Sequence, residues 1–173
     1  MKKIVLLIAL TASSLSLFAQ SKAGLTDKPE IRPQNNIYIN LLGDASIVSL
    51  NYDRLLFISQ GFFFSGKVGV GYNEEFSICS SEGCSPEQFI TVTHHVTGNL
   101  GKGRHFAEFG LGGTLINGNT NEKYLAYPIV GYRLQPLRSK KVNLRVYGSV
   151  PFTGLDTEDI LYAPYGLSVG ISF

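Results

Sequence analysis

The sequence predicts an all-β fold, an eight-stranded antiparallel up-and-down transmembrane β-barrel. Three observations predict it. Apolar residues alternate with small or polar ones at period two, in windows of about ten residues bounded by Gly, Asn, Asp or Pro. Helical periodicity is absent from those windows, and β-branched and aromatic residues dominate them. The polar rows consist mostly of Gly, Ser, Thr and Asn with scattered single charges, whereas a water-facing surface would carry many more Lys and Glu. Charged residues make up 16% of the 173, against about 25% in an ordinary soluble domain.

Taken in order, residues 1–19 read as an export signal. Lys2 and Lys3 form a charged start, Ile4 to Leu10 a short apolar stretch, and Leu17-Phe18-Ala19 a cleavage region before Gln20. The apolar stretch is shorter than the roughly 20 residues that span a bilayer as a helix. Residues 20–35 form a polar periplasmic lead containing Pro29 and Pro33, and residues 36–173 the barrel domain. Strands are expected over 36–43, 46–57, 62–73, 88–100, 104–117, 123–135, 141–153 and 161–173.

The faces follow from parity. In the second strand Val48, Leu50 and Tyr52 oppose Ser49, Asn51 and Asp53. In the third, Phe62, Phe64, Val68, Val70 and Tyr72 oppose Ser65, Lys67, Gly69 and Gly71. In the fifth, Ala107, Phe109, Leu111 and Leu115 oppose Glu108, Gly110, Gly112 and Thr114. In the seventh, Val142, Leu144, Val146, Val150 and Phe152 oppose Asn143, Arg145, Tyr147 and Ser149. In the last, Tyr165, Leu167, Val169, Ile171 and Phe173 oppose Gly166, Ser168, Gly170 and Ser172. Two strands fit less well. His94 shares a row with Ile90, Val92, Val96 and Leu100, which suggests a bulge that re-aims it. Pro128 falls inside the sixth strand and cannot donate to a ladder.

With the apolar rows turned outward to lipid, small residues fill a narrow interior. The charges on the inner rows, Asp53, Lys67, Glu108, Arg145 and Arg133, must then pair with one another, because an isolated buried charge is not tolerated. This predicts a polar network plugging the lumen. Connections fall into two sets. One carries Asp44, Glu74, Glu75, Glu82, Glu87, Glu122, Asp156, Glu158 and Asp159, and the other Lys102, Arg104, Arg138, Lys140 and Lys141. The acidic set is open to a surface partner, and the asymmetry supports the alternating topology. Cys79 and Cys84, five apart in a polar stretch, are expected to form a local disulfide in an oxidising compartment.

The final segment, Tyr165-Gly166-Leu167-Ser168-Val169-Gly170-Ile171-Ser172-Phe173, resembles the C-terminal signal of outer-membrane β-barrels, an alternating strand ending on an aromatic residue. The segments 50–54 (LNYDR), 66–72 (GKVGVGY), 108–113 (EFGLGG) and 131–136 (GYRLQP) resemble small outer-membrane β-barrel proteins of the Bacteroidetes type and, more distantly, the OmpA and OmpX barrels. The resemblance spans about 36–173. It implies a bacterial outer-membrane location, contact with outer-membrane lipid, and delivery to the barrel-assembly machinery through the C-terminal strand. It implies little about activity.

The residues offer no cofactor or metal site and no active site. Setting Lys2 and Lys3 aside leaves 13 bases against 13 acids, so no basic field draws nucleic acid. His94 and His95 are the candidate bases for a lipid-modifying enzyme, but no G-x-S-x-G or H-E-x-x-H motif accompanies them. The expected role is structural or surface-interacting rather than enzymatic. The alternatives are a narrow channel, a lipid-modifying enzyme, and a soluble lipocalin-like barrel with the faces inverted.

Overall fold

A computed structural model describes residues 32–59, 61–74, 87–120, 123–137, 141–152 and 160–173. Eight strands, β1 (Asn35–Leu41), β2 (Val48–Ser59), β3 (Phe62–Glu74), β4 (Gln88–Lys102), β5 (His105–Asn117), β6 (Tyr124–Leu134), β7 (Val142–Ser149) and β8 (Tyr165–Ser172), pair in chain order. β8 returns to β1, from Asn36↔Ser172 to Leu41↔Leu167, and closes an antiparallel barrel. The N–H of Phe173 donates to the carbonyl of Asn35 at 2.9 Å, and that of Asn35 to the carbonyl of Phe173 at 3.1 Å. Residues 1–31, Cys79 and Cys84 lie outside the described residues, so the export signal, most of the lead and the disulfide are not described.

Closure leaves no edge strand, and the two faces of each strand become the inside and outside of one wall. Val48, Leu50, Tyr52, Val68, Val70, Leu111, Leu115, Val146, Leu167, Val169 and Ile171 are exposed on the outside, while Ser49, Asn51, Asp53, Lys67, Glu108, Asn143, Arg145 and Ser168 are buried within. The other strands share this orientation, except that β6 turns Leu125, Tyr127 and Ile129 inward beside Arg133, and the interior holds Asp53, Lys67, Glu108, Arg133 and Arg145.

Two local readings are corrected, the bulge at His94 and the lengths of β7 and β8. β4 keeps an unbroken register against both neighbours, so no bulge turns His94 inward. It stays on the outer face, where Tyr124 reaches across Gly113 to bring its hydroxyl 3.0 Å from His94 Nε2 and stack its ring on the imidazole. The bulge lies in β2, where the register shifts between Leu56 and Ser59 and Phe57 takes a positive φ. Pro128 is accommodated because of where its ladder ends. Odd positions of β6 face β5, as the Ile116 N–H to Lys123 carbonyl bond shows, and even positions face β7. Pro128 thus presents its missing N–H toward β7, whose pairing begins only at Ile129↔Ser149. Finally, β7 and β8 are shorter than expected, stopping at Ser149 and starting at Tyr165, with Pro151 and Pro164 flanking the ends of the ladder.

Candidate functional site in the barrel lumen

The lumen is filled in layers. At the end bearing Asn35 and Phe173, Leu55, Phe63 and Phe106 form a small apolar cap. The guanidinium of Arg32 stacks over Phe106 at 4.7 Å, and that of Arg133 over Phe63 at 5.4 Å. At the far end a larger apolar cap gathers Ala45, Phe89, Ile116, Leu125, Ile129 and Ile160, with the rings of Tyr127 and Tyr147 beneath it. Polar and charged groups occupy the space between.

Three ion-paired centres lie along the axis. Next to the first cap, β6 brings Arg133 to Asp53 of β2, and Arg133 also donates to Ser65 at 2.9 Å and Gln135 at 3.1 Å. Asn36 donates to the same Asp53 carboxylate at 3.0 Å. In the middle, β7 sets Arg145 against Glu108 of β5 in a two-pronged contact, Nε to Oε2 at 2.9 Å and Nη2 to Oε1 at 2.8 Å. Thr97 donates to the same Glu108 at 2.7 Å, and Arg145 also reaches the Tyr38 hydroxyl. Arg133 Nη1 stands 3.9 Å from Glu108 Oε1 and links the two centres.

The third centre joins Lys67 of β3 to Asp44, with His95 Nε2 of β4 2.9 Å from Asp44 Oδ1. Three acids and three basic side chains are thus enclosed in balance, each at most 2% exposed. Burial opposes the charge on Asp44, but His95 and Lys67 outweigh it and hold that carboxyl well below the usual carboxylate range.

Asp53, Lys67, Glu108, Arg133 and Arg145 are therefore all interior and all ion-paired. Asp44 is the correction. Expected on an acidic rim, it has no solvent exposure and completes the plug. The turn that carries it folds into the lumen through left-handed backbone at Leu42, Gly43, Asp44 and Ala45 (φ 60, 67, 57 and 52°). That conformation costs about 1–2 kcal/mol at each non-glycine residue. Gly43 is required twice over, since a Cβ there would also sit 2.9 Å from the Tyr147 hydroxyl and 3.0 Å from the Gly166 Cα. Of the rest of the acidic set, Glu74 and Glu87 lie at the far ends of β3 and β4, and the others are outside the described residues. In the basic set, Lys102, Arg104 and Lys141 lie at the Asn35 end, while Arg138 and Lys140 are outside the described residues.

The inner side chains are also bulkier than the small-residue pattern implies. Tyr38 lies against Gly170, and Tyr147 against Gly131 and Gly166. Glycine on a neighbouring strand makes room for each ring, a small-against-large fit across the wall. Neither histidine stands free: His94 is engaged by Tyr124 on the outside, and His95 by Asp44 and Tyr127 within. Parity already held the signal for the apolar caps. Phe63 shares the row of Ser65 and Lys67, Phe89 that of Thr91 and His95, and Phe106 that of Glu108.

Comparison of the chain with family models, with curated proteins and with solved structures finds no match in any of the three. What the arrangement can do therefore rests on its geometry.

Proposed function

We propose that the protein is a small integral outer-membrane barrel of a bacterium with a plugged polar lumen, serving a structural or surface-interaction role without an active site. The observation that carries this reading is the outer band. On β4, Ile90 and Leu100 bound an outward row that also holds Val92 and Val96. At roughly 3.4 Å per residue they lie ~34 Å apart along the strand. With a strand tilt of roughly 40°, the band is ~26 Å tall, close to the apolar belt of known membrane barrels. Outward charges stand at its margins, with Arg54 and Lys102 toward one rim and Glu74 toward the other. Tyr132 and Phe173 on one side, and Tyr72, Tyr124 and Tyr165 on the other, supply the aromatic girdles this environment favours.

A soluble ligand-binding barrel needs the reverse arrangement, with an apolar interior and a charged exterior. A channel needs a continuous path, and the three ion pairs and two apolar caps lie across it. In the proposed setting β8 is the strand presented to the assembly machinery, its row from Tyr165 to Phe173 turned to lipid. The acidic far loops are then the surface open to a partner, and the basic rim faces the periplasm.

The test is fractionation of cells expressing the chain, combined with gel mobility before and after heating. The reading expects recovery with the outer membrane and a band that shifts on boiling. Recovery in the soluble periplasmic fraction, with no shift, contradicts it. Lipid A mass spectra from cells with and without the chain should be identical, and a change would restore the enzyme reading.

A further inference from the structure

The β1–β2 turn does not project from the barrel as a short hairpin connection ordinarily would. It folds inward, and two of its three non-glycine left-handed residues, Leu42 and Ala45, have no local reason to do so, since neither Leu nor Ala favours that region as Asp does. Such a conformation persists only where its surroundings over-determine it, and here they do so from the barrel wall. Asn40 Nδ2 donates to Asp44 Oδ2 at 3.1 Å, Lys67 Nζ meets the same oxygen, and His95 Nε2 lies 2.9 Å from Oδ1. Thr114 donates to the Asp44 carbonyl at 2.7 Å, and Asn73 to that of Ala45 at 2.8 Å.

The three groups on the carboxylate come from β1, β3 and β4, not from the turn. Lys67 and His95 stand on strands that do not adjoin the turn, while Asn40 closes β1 beside it and also donates to the Leu42 carbonyl at 2.8 Å. The other lumen carboxylates, Asp53 and Glu108, are held by Arg133 and Arg145, so the acid paired with Lys67 is Asp44. Ala45 belongs to the far apolar cap, so withdrawal of the turn would also breach the cap and open the cluster toward the far rim.

We infer that Asn40, Lys67 and His95 form a binding site for a small carboxylate anion, that Asp44 fills this site in the closed barrel, and that the strained turn is a plug poised to withdraw from it. The chemistry names the ligand class. A primary amide N–H, an ammonium and an imidazole N–H converge on a space the size of one carboxylate, with the Tyr127 and Tyr147 hydroxyls beside it. The inference concerns the inside of the wall and holds whatever the outside faces.

The experiment uses the whole chain folded in detergent micelles, with amide hydrogen exchange and a titration with ¹³C-formate. In the wild type the amides of Leu42, Ser46 and Ile47, which donate to Ile47, Gly43 and Tyr72, are expected to be as protected as the adjoining strands. No saturable formate binding is expected. In Asp44→Ala those three amides should lose protection by about 100-fold or more while the strands keep theirs. Formate should bind saturably in the millimolar range and restore protection, and adding Lys67→Met should abolish both effects. Asp44→Asn, which keeps the shape and removes the charge, should loosen the same amides if the alanine variant does not fold. The inference is overturned if the turn keeps its protection, if turn and strands open together, if neither variant folds, or if formate acts equally without Lys67.

Discussion

The Glu108–Arg145 contact is the most exacting place to perturb the plug. Both side chains are at most 2% exposed, and the guanidinium grips the carboxylate through two nitrogens. Removing one member of such a pair strands a charge in a dry interior and costs about 3–5 kcal/mol. The two halves are not equivalent. In Glu108→Gln the amide oxygen can still accept one N–H of Arg145, but the guanidinium loses its countercharge and one prong of the contact, so the cost should sit at the upper end. In Arg145→Met, Glu108 retains the Thr97 hydroxyl at 2.7 Å and Arg133 at 3.9 Å, and the cost should sit at the lower end. The double variant leaves no stranded charge and should cost at least ~2 kcal/mol less than the sum of the singles. Exchanging the two residues should recover stability only in part, because an arginine at position 108 would stand against Arg133. The chain has no tryptophan, so urea unfolding of the micelle-folded protein is followed by far-UV circular dichroism and gel mobility. Additivity of the two singles within about 0.5 kcal/mol would refute the pairing.

The other expectations are more local. Gly43→Ala must place a Cβ at a left-handed position against Tyr147 and Gly166, and should lower stability by about 2 kcal/mol or more, read as a shift in the urea midpoint; an unchanged midpoint would show that the turn is not inside. Tyr124→Phe removes the hydroxyl that His94 uses on the outer face and should cost about 1 kcal/mol, whereas no loss would mean the contact contributes nothing. Asp53→Asn should leave Arg133 short of its carboxylate and cost about 3 kcal/mol in the same assay.

Much of the barrel was legible because a closed wall obeys parity along nearly all of its length, the bulge in β2 being the main break. Once Lys67 and Glu108 are placed inside, every second residue of their strands follows, and the ladder registers then bring strands distant in sequence together around the lumen. The sequence misled where a residue's surroundings come from elsewhere in the chain. His94 looks unsuited to an apolar row until Tyr124, thirty residues on, is seen to reach it across Gly113. Pro128 looks like a strand breaker until the end of the β7 ladder is located. Asp44 lies in a Gly-Asp-Ala stretch that reads as an exposed hairpin loop, and only the convergence of Lys67 and His95 explains its burial. Phe63, Phe89 and Phe106 were legible in principle, but apolar residues on a polar row near a strand end gain meaning only when the barrel is seen to need capping.

The central claim is that the apolar rows outside the wall meet hydrocarbon, and a charge placed mid-band tests it most directly. Val68 lies halfway along β3, points outward and is 58% exposed, while Gln88 lies outward at the far end of β4. Folding free energies of Val68→Arg and Gln88→Arg should be compared in lipid vesicles. The account predicts a loss of about 2–4 kcal/mol at Val68 and at most about 1 kcal/mol at Gln88. Equal, negligible losses at the two positions, as on a surface that faces water, would contradict it.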